Sequence, residues 1–339
     1  MSTRTIRFSS KSTQFYFDSS FTLLEKKVSK ENAVLITDDH VFAAHKTKFK
    51  GWNTIVLKPG EQYKVQQTVD VVINQLIAFG ADRKTLLVGV GGGVITDLTG
   101  YIAGIYMRGI DFGFVPTSIL AMVDAAIGGK NGIDVGVYKN MAGLIRQPSF
   151  LIYDYSFLKT LPLCEWQNGF AEIIKHACIK DAAMFKELQL NSIAKYKRDK
   201  LLLSTLIQKN ALIKAKVVVG DEFEQGDRKL LNFGHTLGHA IENMYELSHG
   251  QAISIGMTYA ALISQQLKFF KGTTELVALL HKYGLPTVAD FDQAKAFKIL
   301  LKDKKKDHVS IQYILLSKIG KGVVQPILLV QLKEIFQLF

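Results

Sequence analysis

The first half of the chain alternates short β-branched runs with helical patterns, and this alternation restricts the folds that it can adopt. Four runs have the length and composition of buried strands, at residues 33–38, 54–57, 85–90 and 112–115. Residues 65–79, between the second and third runs, carry an apolar stripe at helical spacing that ends before Gly80. Strands that alternate with helices in this way predict a parallel sheet wound with helices.

The second half loses these strand signals after about Asp154, and longer helical patterns replace them at residues 167–179 and 201–218. A small β-hairpin is predicted at residues 311–316 and 323–329, with Gly320 and Gly322 at its turn. A chain of 339 residues also exceeds the usual size of one hydrophobic core. We therefore predict two domains, an α/β domain at residues 1–155 and a mainly α-helical domain at residues 156–339.

The charge balance is basic, with 42 Lys and Arg against 30 Asp and Glu. A nucleic-acid-binding protein would need a continuous basic stripe with interleaved aromatic residues, whereas the only dense basic run is at residues 302–306. Cys164 and Cys178 have neither the number nor the spacing of a disulfide framework or a metal knuckle. The sequence shows no signal peptide or apolar stretch of membrane-spanning length. We expect a cytoplasmic protein with no nucleic-acid or membrane partner.

A glycine-rich segment joins the third predicted strand to a helical pattern that starts near Val94, and its glycines are Gly89, Gly91, Gly92 and Gly93. Such a segment lets the backbone approach a pyrophosphate, and the following helix offers unpaired N–H groups. A tight strand–helix turn with no ligand explains the same residues, since the pattern is neither G-x-G-x-x-G nor a Walker loop. Asp97, which we place in the first turn, is a candidate helix cap or ribose ligand, and Asp38 is a further ribose candidate.

Metal-ligand chemistry is concentrated in Glu172 and three later histidines. His235 and His239 are four residues apart, hence on one helical face, and His249 follows in a polar stretch. Two histidines with Glu172 would leave positions open for substrate oxygens, as in a catalytic zinc site. Spacing alone leaves open which two histidines bind. A single histidine in an apolar helix is more often structural, which is how we interpret His176.

Several cations and amides lie among glycines and apolar residues, unlike a solvated surface. Such groups are usually buried with a carboxylate, a phosphate or a ligand, so they predict a polyanionic small-molecule substrate. A surface salt bridge is the competing explanation for each one singly. They are Arg108, Lys130, Lys139, Asn140, Lys175, Lys214, Arg228 and Asn232, with Asp124 nearby in sequence.

Taken together, these segments closely resemble the 3-dehydroquinate synthase family within the sugar-phosphate cyclases. The resemblance rests on GGVITD at 92–97, YMRG at 106–109, VD at 123–124, GGK at 128–130, KNM at 139–141, AEIIK at 171–175 and LNFGHTLGH at 231–239. PGEQYK at 59–64 and DKK at 303–305 fit the same family. The segments occur in order over most of the chain, which makes the series more specific than any one member.

The resemblance implies an NAD-binding Rossmann-like domain followed by a helical domain that binds metal and substrate, and a homodimer. It implies zinc or cobalt on Glu172, His235 and His249, with His239 facing the substrate. The residues implied for NAD are Asp38, Glu61, Lys64, Gly93, Val94, Ile95, Thr96, Asp97, Thr117, Ser118, Lys130, Lys139, Phe157 and Thr160.

The implied substrate is 3-deoxy-D-arabino-heptulosonate 7-phosphate (DAHP), which the family converts to 3-dehydroquinate and phosphate in aromatic amino acid biosynthesis. NAD would be catalytic, because the hydride that it accepts is returned. The residues implied for the substrate are Arg108, Asp124, Lys130, Asn140, Lys175, Lys214, Arg228, Asn232 and His239. Those implied to be catalytic are Lys130, Lys175, Lys214, Arg228, Asn232 and His239.

Some positions depart from the family pattern, namely Ala125, Ala126, Asn131, Ala142 and residues 144–146. None removes an expected ligand, and Arg146 raises the question of an altered substrate preference. The alternative functions are a cyclase that forms valiolone, inosose or amino-dehydroquinate products, and a metal-dependent polyol dehydrogenase. A dehydrogenase would accumulate reduced nicotinamide, whereas a cyclase would release phosphate without it.

Overall fold

The computed structural model describes residues 2–136, 138–242, 244–300 and 309–336. The chain forms two compact units, each with more contacts inside it than to the other. The first unit comprises Met1–Trp166 and Leu201–Phe223, and the second comprises Gln167–Lys200 and Glu224–Phe339. The segment 201–223 thus groups with the first unit, although a division at residue 155 would assign it to the second domain.

The strands within the described residues are β1 (Ser2–Arg7), β2 (Ser12–Phe17), β3 (Ala33–Asp38), β4 (Asn53–Leu57), β5 (Leu86–Gly91), β6 (Phe112–Pro116), β7 (Lys130–Val135), β8 (Tyr138–Ile145), β9 (Phe150–Ile152), β10 (Ser310–Lys318) and β11 (Lys321–Leu328). The α-helices are α1 (Asp39–Ala44), α2 (Gln66–Ala78), α3 (Gly93–Ile105), α4 (Leu163–Lys180), α5 (Ala182–Leu190), α6 (Ile193–Arg198), α7 (Lys200–Gly220), α8 (His235–Glu242), α9 (His249–Lys268), α10 (Thr273–Lys282), α11 (Gln293–Leu300) and α12 (Leu329–Phe336). None of these helices is both long and apolar enough to cross a bilayer.

The first unit is built on a seven-stranded sheet in the order β1-β2-β9-β6-β5-β3-β4. Only β1 runs antiparallel to its neighbour, and the other pairs are parallel. The four predicted strands are β3 to β6, each correct to within one residue at either end. Their continuous apolar sequence follows from burial on both faces of a parallel sheet, as Val34, Leu35 and Ile36 show with at most 2% exposure.

Helices α2 and α3 cover the sheet, and their ends follow from local sequence. The apolar stripe of α2 buries Val69, Val72 and Leu76. Just beyond the helix end, Gly80 has φ of +68° and its N–H donates to the Ile77 carbonyl. This agrees with the predicted end of the helix before Gly80. A separate antiparallel hairpin, β7–β8, packs against α3 and was not predicted.

The second unit is helical, with a hairpin that packs on α9. Strands β10 and β11 pair antiparallel and confirm the predicted hairpin. Gly320 lies at its turn with φ of +82°, but the position predicted for Gly322 is wrong. Gly322 lies inside β11 opposite Leu316, where a Cβ would come 3.2 Å from the Ile179 side chain. The glycine there permits close packing on α4.

Candidate active-site residues

The predicted glycine segment forms the junction between β5 and α3. A Cβ on Gly91 would lie 2.5 Å from the Cβ of Ile95, so the chain can turn into the helix only with glycine there. The N-cap of α3 is Gly92, and no described side chain caps it. The first N–H groups of a 13-residue helix are therefore offered to a ligand, which suits a phosphate.

Predicted cofactor residues follow the carboxyl ends of three parallel strands. Asp38 ends β3, Thr117 and Ser118 follow β6, and Phe157 and Thr160 lie in the segment after β9. In the strand order, β4 follows β3 toward one edge of the sheet, whereas β6 follows β5 toward the opposite edge. The carboxyl edge at such a reversal is where doubly wound sheets bind nucleotides.

Contacts already made by these side chains refine two of the predictions. Asp38 accepts a hydrogen bond from the Val41 N–H at 2.9 Å and so caps α1, while burial raises the pKa of its carboxyl. The first-turn placement of Asp97 is wrong, because this residue is the fifth of α3 and cannot cap it. Thr160 contacts His45 Nε2 at 2.8 Å, and the His45 ring packs edge-on against Phe157.

Lys64 is the centre of a polar cluster in the first unit. Its ammonium lies 2.5 Å from the Asp97 carboxylate, 2.7 Å from Asn140 Oδ1 and 3.8 Å from Glu61. Burial would lower the pKa of Lys64, but the charges of Asp97 and Glu61 outweigh it and raise the pKa above its usual range. Three residues predicted for NAD thus lie beside one predicted for substrate.

Asp134, on β7, holds this cluster together and was missed from the sequence. Its carboxylate accepts the Asn140 N–H at 2.7 Å, and its own N–H donates to the Lys64 carbonyl at 2.8 Å. Asn140 has φ of +53°, so the bond from Asp134 fixes a backbone conformation that few residues adopt. The sequence signal, an aspartate at the end of a short strand before KN, is too common to have identified it.

A second cation of the first unit, Lys214 on α7, is buried with Asp124. Its ammonium lies 2.7 Å from the carboxylate and 2.6 Å from the carbonyl of Asp124. Asp124 belongs to a short π-helix, Ala121–Ala125, that starts just after Ser118. The predicted anion contacts Lys214 and Asp124 are therefore brought together. Lys130 is exposed at the start of β7, and Lys139 lies beside Asn140 on β8.

Arg108 lies in a turn that ends α3. Met107, Arg108 and Gly109 have φ of 49°, 69° and 117° in succession. Two consecutive non-glycine residues in the left-handed region are unusual, and they direct the exposed Arg108 away from the helix path.

Three of the positions that depart from the family pattern pack against the glycines that line and follow α3. Asn131 donates to the carbonyls of Gly129 and Arg146 at 2.7 and 3.0 Å, and its side chain fills the space above Gly100. Leu144 fills the space above Gly104. Arg146 donates to the Ala103 carbonyl at 2.9 Å and stacks on Phe112. These contacts explain the three residues by the packing of the hairpin on α3.

In the second unit, α4, α8 and α9 bring Glu172, His235 and His249 together. Glu172 is fully buried, and its Oε1 lies 3.5 Å from His235 Nε2 and 3.4 Å from His249 Nε2. Ligand atoms about 2.0–2.2 Å from a tetrahedral zinc ion are themselves about 3.3–3.6 Å apart. The three donors thus have the spacing of one metal ion's ligands, and they fit the predicted site.

Neighbouring groups favour the ligand form of His235. Its Nδ1 lies 3.1 Å from the Phe233 carbonyl, which places the N–H there and leaves the Nε2 lone pair toward Glu172. Burial, with the charge of Lys175, lowers the pKa of His235 well below its usual value, so the ring is neutral at pH 7. Lys175 forms an ion pair with Glu172 on the same helix.

The remaining predicted residues of this unit have different surroundings. His239 lies beside the metal-ligand set, with ring centroids 5.1 Å from His235 and 6.3 Å from His249. Arg228 is 2% exposed in a 3-10 helix, and Asn232 donates to Glu224. His176 is buried in α4, in keeping with a structural role. The predicted motif 303–305 lies outside the described residues.

Two further residues were missed: Glu242, whose carboxylate lies 3.6 Å from His249 Nδ1, and Asn168, which bonds Ser248 and Gly250 on either side of His249. Glu242 follows His239 by three residues and His235 by seven, so the face of α8 that carries both histidines was a usable signal. Asn168 precedes Glu172 by one helical turn on α4, but an asparagine in a helix gives no such signal.

Comparison with known proteins places the chain in a family. The N-terminal family of 3-dehydroquinate synthase matches residues 54–168, and its C-terminal family matches residues 169–306. A 3-dehydroquinate synthase from Leptospira interrogans is 40% identical over 275 residues, which cover 80% of this chain and 76% of that protein. The chain belongs to the 3-dehydroquinate synthase family.

Solved structures extend the likeness of this 3-dehydroquinate synthase family member to related cyclases. A 2-deoxy-scyllo-inosose synthase complexed with carbaglucose-6-phosphate, NAD+ and Co2+ is 27% identical with a TM-score of 0.84, over 99% of both chains. A 2-epi-5-epi-valiolone synthase from Streptomyces hygroscopicus subsp. jinggangensis 5008, with NAD+ and Zn2+ bound, shares the fold at 24% identity and a TM-score of 0.85. That alignment covers 99% of this chain and 98% of the other.

Proposed function

We propose that this chain is a 3-dehydroquinate synthase, a carbon–oxygen lyase that converts DAHP to 3-dehydroquinate and phosphate with catalytic NAD and one divalent metal ion. The observation that carries the proposal is the set of Glu172, His235 and His249, spaced as the ligands of one metal ion in a member of this family. The 2-deoxy-scyllo-inosose synthase at 27% identity binds NAD+ and Co2+, which supports the same two cofactors here.

When bound, NAD would take up and return a hydride, and the metal ion would polarise substrate oxygens as a Lewis acid. The junction fits a dinucleotide, because Gly91 permits the tight turn into α3 and no described side chain caps the first N–H groups of that helix. We assign NAD to this edge of the sheet, with Asp38, Asp97, Thr117 and Thr160 around it. The metal belongs to Glu172, His235 and His249.

The cations of the chain would bind the substrate anions. In the first unit Lys214 is held by Asp124, so its ammonium has a fixed position from which to bind a phosphate or carboxylate oxygen. In the second unit Lys175 and Arg228 are at most 2% exposed, and buried cations of this kind suit an anionic ligand. His239 lies next to the ligand set and is placed to hold or move a proton on the substrate.

A homodimer and a cytoplasmic location are part of the same proposal. The support for the dimer is a group of exposed apolar side chains on the end of α3 and on the β7–β8 hairpin. These side chains are Ile105, Met107, Val135, Tyr138, Met141 and Ile145, each at least 39% exposed. Apolar residues that recur on neighbouring elements in this way mark protein–protein contact surfaces.

A second candidate is a cyclase that acts on a different sugar phosphate, because the inosose synthase resembles this chain over its whole length. The two candidates differ in whether the substrate carries a carboxylate. The 40% identity to a 3-dehydroquinate synthase favours DAHP.

The deciding experiment measures phosphate release from DAHP by metal-reconstituted protein with a trace of NAD, together with absorbance of reduced nicotinamide. Phosphate equal to dehydroquinate, with no net reduced nicotinamide, is the expected result. Glu172→Gln should abolish it, whereas the matched Glu187→Gln, on α5 away from the ligand set, should not. If DAHP releases no phosphate while glucose 6-phosphate or a heptulose phosphate does, the second candidate replaces the first. Accumulating reduced nicotinamide would indicate a polyol dehydrogenase.

A further inference from the structure

His249 presents its two ring nitrogens to two different carboxylates. Its Nε2 lies 3.4 Å from Glu172 Oε1, and its Nδ1 lies 3.6 Å from Glu242 Oε2. A neutral imidazole carries one N–H, and a metal ligand needs the lone pair of the other nitrogen. With an ion bound through Nε2 beside Glu172, the single N–H must lie on Nδ1, where the negative charge of Glu242 stabilises it.

The backbone of His249 is fixed from the opposite side. His249 is the first residue of α9, between the N-cap Ser248 and Gly250. Asn168 Oδ1 accepts hydrogen bonds from Ser248 Oγ at 2.7 Å and from the Gly250 N–H at 3.1 Å. A Cβ at Gly250 would lie 2.5 Å from the Asn168 Cα, so glycine permits this close approach. Both neighbours of His249 are thereby attached to α4, one turn before Glu172.

We propose that Glu242 and Asn168 are positioning residues for the metal ligand His249. Glu242 sets the tautomer and orientation of the ring, and Asn168 sets the position of its backbone relative to Glu172. The inference rests on the proposed metal site, and neither residue belongs to the expected ligand or substrate set. Groups that orient a ligand in this way typically contribute ten- to a hundredfold to metal affinity.

The competing explanation is a second metal ion on His239, Glu242 and His249, whose donor atoms also lie within 4.8 Å of one another. With an ion on Nε2 as well, His249 would have to bind through both nitrogens and lose both protons. One ion on Glu172, His235 and His249 keeps the Nδ1 proton for Glu242. The proposal therefore requires one ion per chain, and stoichiometry separates the two explanations.

The test is a zinc titration of the metal-free full-length protein against a chromogenic chelator, with cobalt absorption as a second readout. Glu242→Gln and Asn168→Leu should each weaken zinc binding about ten- to a hundredfold at one ion per chain. Asn168→Asp, which keeps an acceptor oxygen, should remain near wild type. The matched controls are Glu187→Gln, which alters a half-buried glutamate bonded to Tyr196, and Ser192→Ala, which removes the N-cap of α6.

The outcomes separate the inference from the function on which it rests. If wild-type protein binds no zinc, the proposed metal site is wrong. If wild type binds zinc and both Glu242→Gln and Asn168→Leu bind equally well, the positioning role is overturned. Two ions in wild type and one in Glu242→Gln would establish the second metal instead. Should Asn168→Leu fail to fold, as judged by circular dichroism, Glu242→Gln alone decides.

Discussion

Replacing Lys64 by methionine should destabilise the first unit by leaving the Asp97 carboxylate without its cation. Lys64 is 4% exposed and lies 2.5 Å from Asp97, whose side chain is 19% exposed. Breaking a fully buried ion pair costs about 3–5 kcal/mol. Because Asp97 keeps some contact with water and methionine preserves the apolar packing, we expect about 2–3 kcal/mol for Lys64→Met. This corresponds to a fall in Tm of about 5–10 °C for a unit of this size.

The double variant Lys64→Met/Asp97→Asn isolates the pair. The second change removes the charge that the first leaves unpaired. The loss of unfolding free energy in the double variant should therefore be about 1–3 kcal/mol smaller than the sum of the losses in the two single variants. Scanning calorimetry of the NAD-free protein measures all four forms. Single effects that add within about 0.5 kcal/mol would refute the reasoning.

The pH dependence provides a separate check on the same variant. Burial already raises the pKa of Asp97 in the presence of Lys64, and loss of the cation must raise it further. A carboxyl with a raised folded pKa destabilises the fold at pH values above its unfolded pKa, and protonation relieves this as the pH falls. The deficit of Lys64→Met relative to wild type should therefore shrink between pH 7 and pH 5. A deficit that is unchanged over that range would contradict the assigned cause.

Three further predictions concern other parts of the first unit. Gly91→Ala should weaken NAD binding at least tenfold in a fluorescence titration because its Cβ would lie 2.5 Å from that of Ile95, whereas Gly220→Ala, in open space, should not. Burial would raise the pKa of Asp154, but hydrogen bonds, led by the one from Lys48, lower this pKa below 3.8. The ionised Asp154 therefore stabilises the fold at pH values above 3.8, and this contribution is lost as the pH falls through the pKa of the folded state. Asp154→Asn should thus lower Tm at pH 7 and have little effect near pH 2. Gly100→Ala should destabilise by about 1–3 kcal/mol in calorimetry through overlap with Asn131, and Asn131→Gly should recover part of that loss.

The centre of the sheet was predictable because each of its strands has a recognisable local sequence pattern. Strands β3 to β6 are continuous apolar runs bounded by turn residues, and their burial on both faces gives that pattern. Strand β1 was missed because it is mostly exposed at the sheet edge and has a polar sequence. The pairing of β2 with β9 joins residues more than 130 positions apart, and no local pattern encodes it.

The sequence indicated which residue types form the candidate site, but it did not indicate which of those residues contact one another. The spacing of His235 and His239 indicated a shared face, but the choice of His235 and His249 with Glu172 came from the family resemblance. The set joins α4 to the consecutive helices α8 and α9, which come much later in the sequence, so the spacing could not reveal it. Asp97 was placed in the first turn because the predicted start near Val94 is one residue later than the observed start at Gly93.

The packing of the β7–β8 hairpin on α3 constrains how this chain can be recombined with its relatives. Asn131, Leu144 and Arg146 occupy the space left by Gly100 and Gly104 and bond the last turn of α3. A hairpin transplanted from a relative with other residues at these positions would leave voids or overlaps on that helix. Chimeras should therefore exchange residues 93–146 as one block, and a crossover between α3 and the hairpin should yield poorly folded protein.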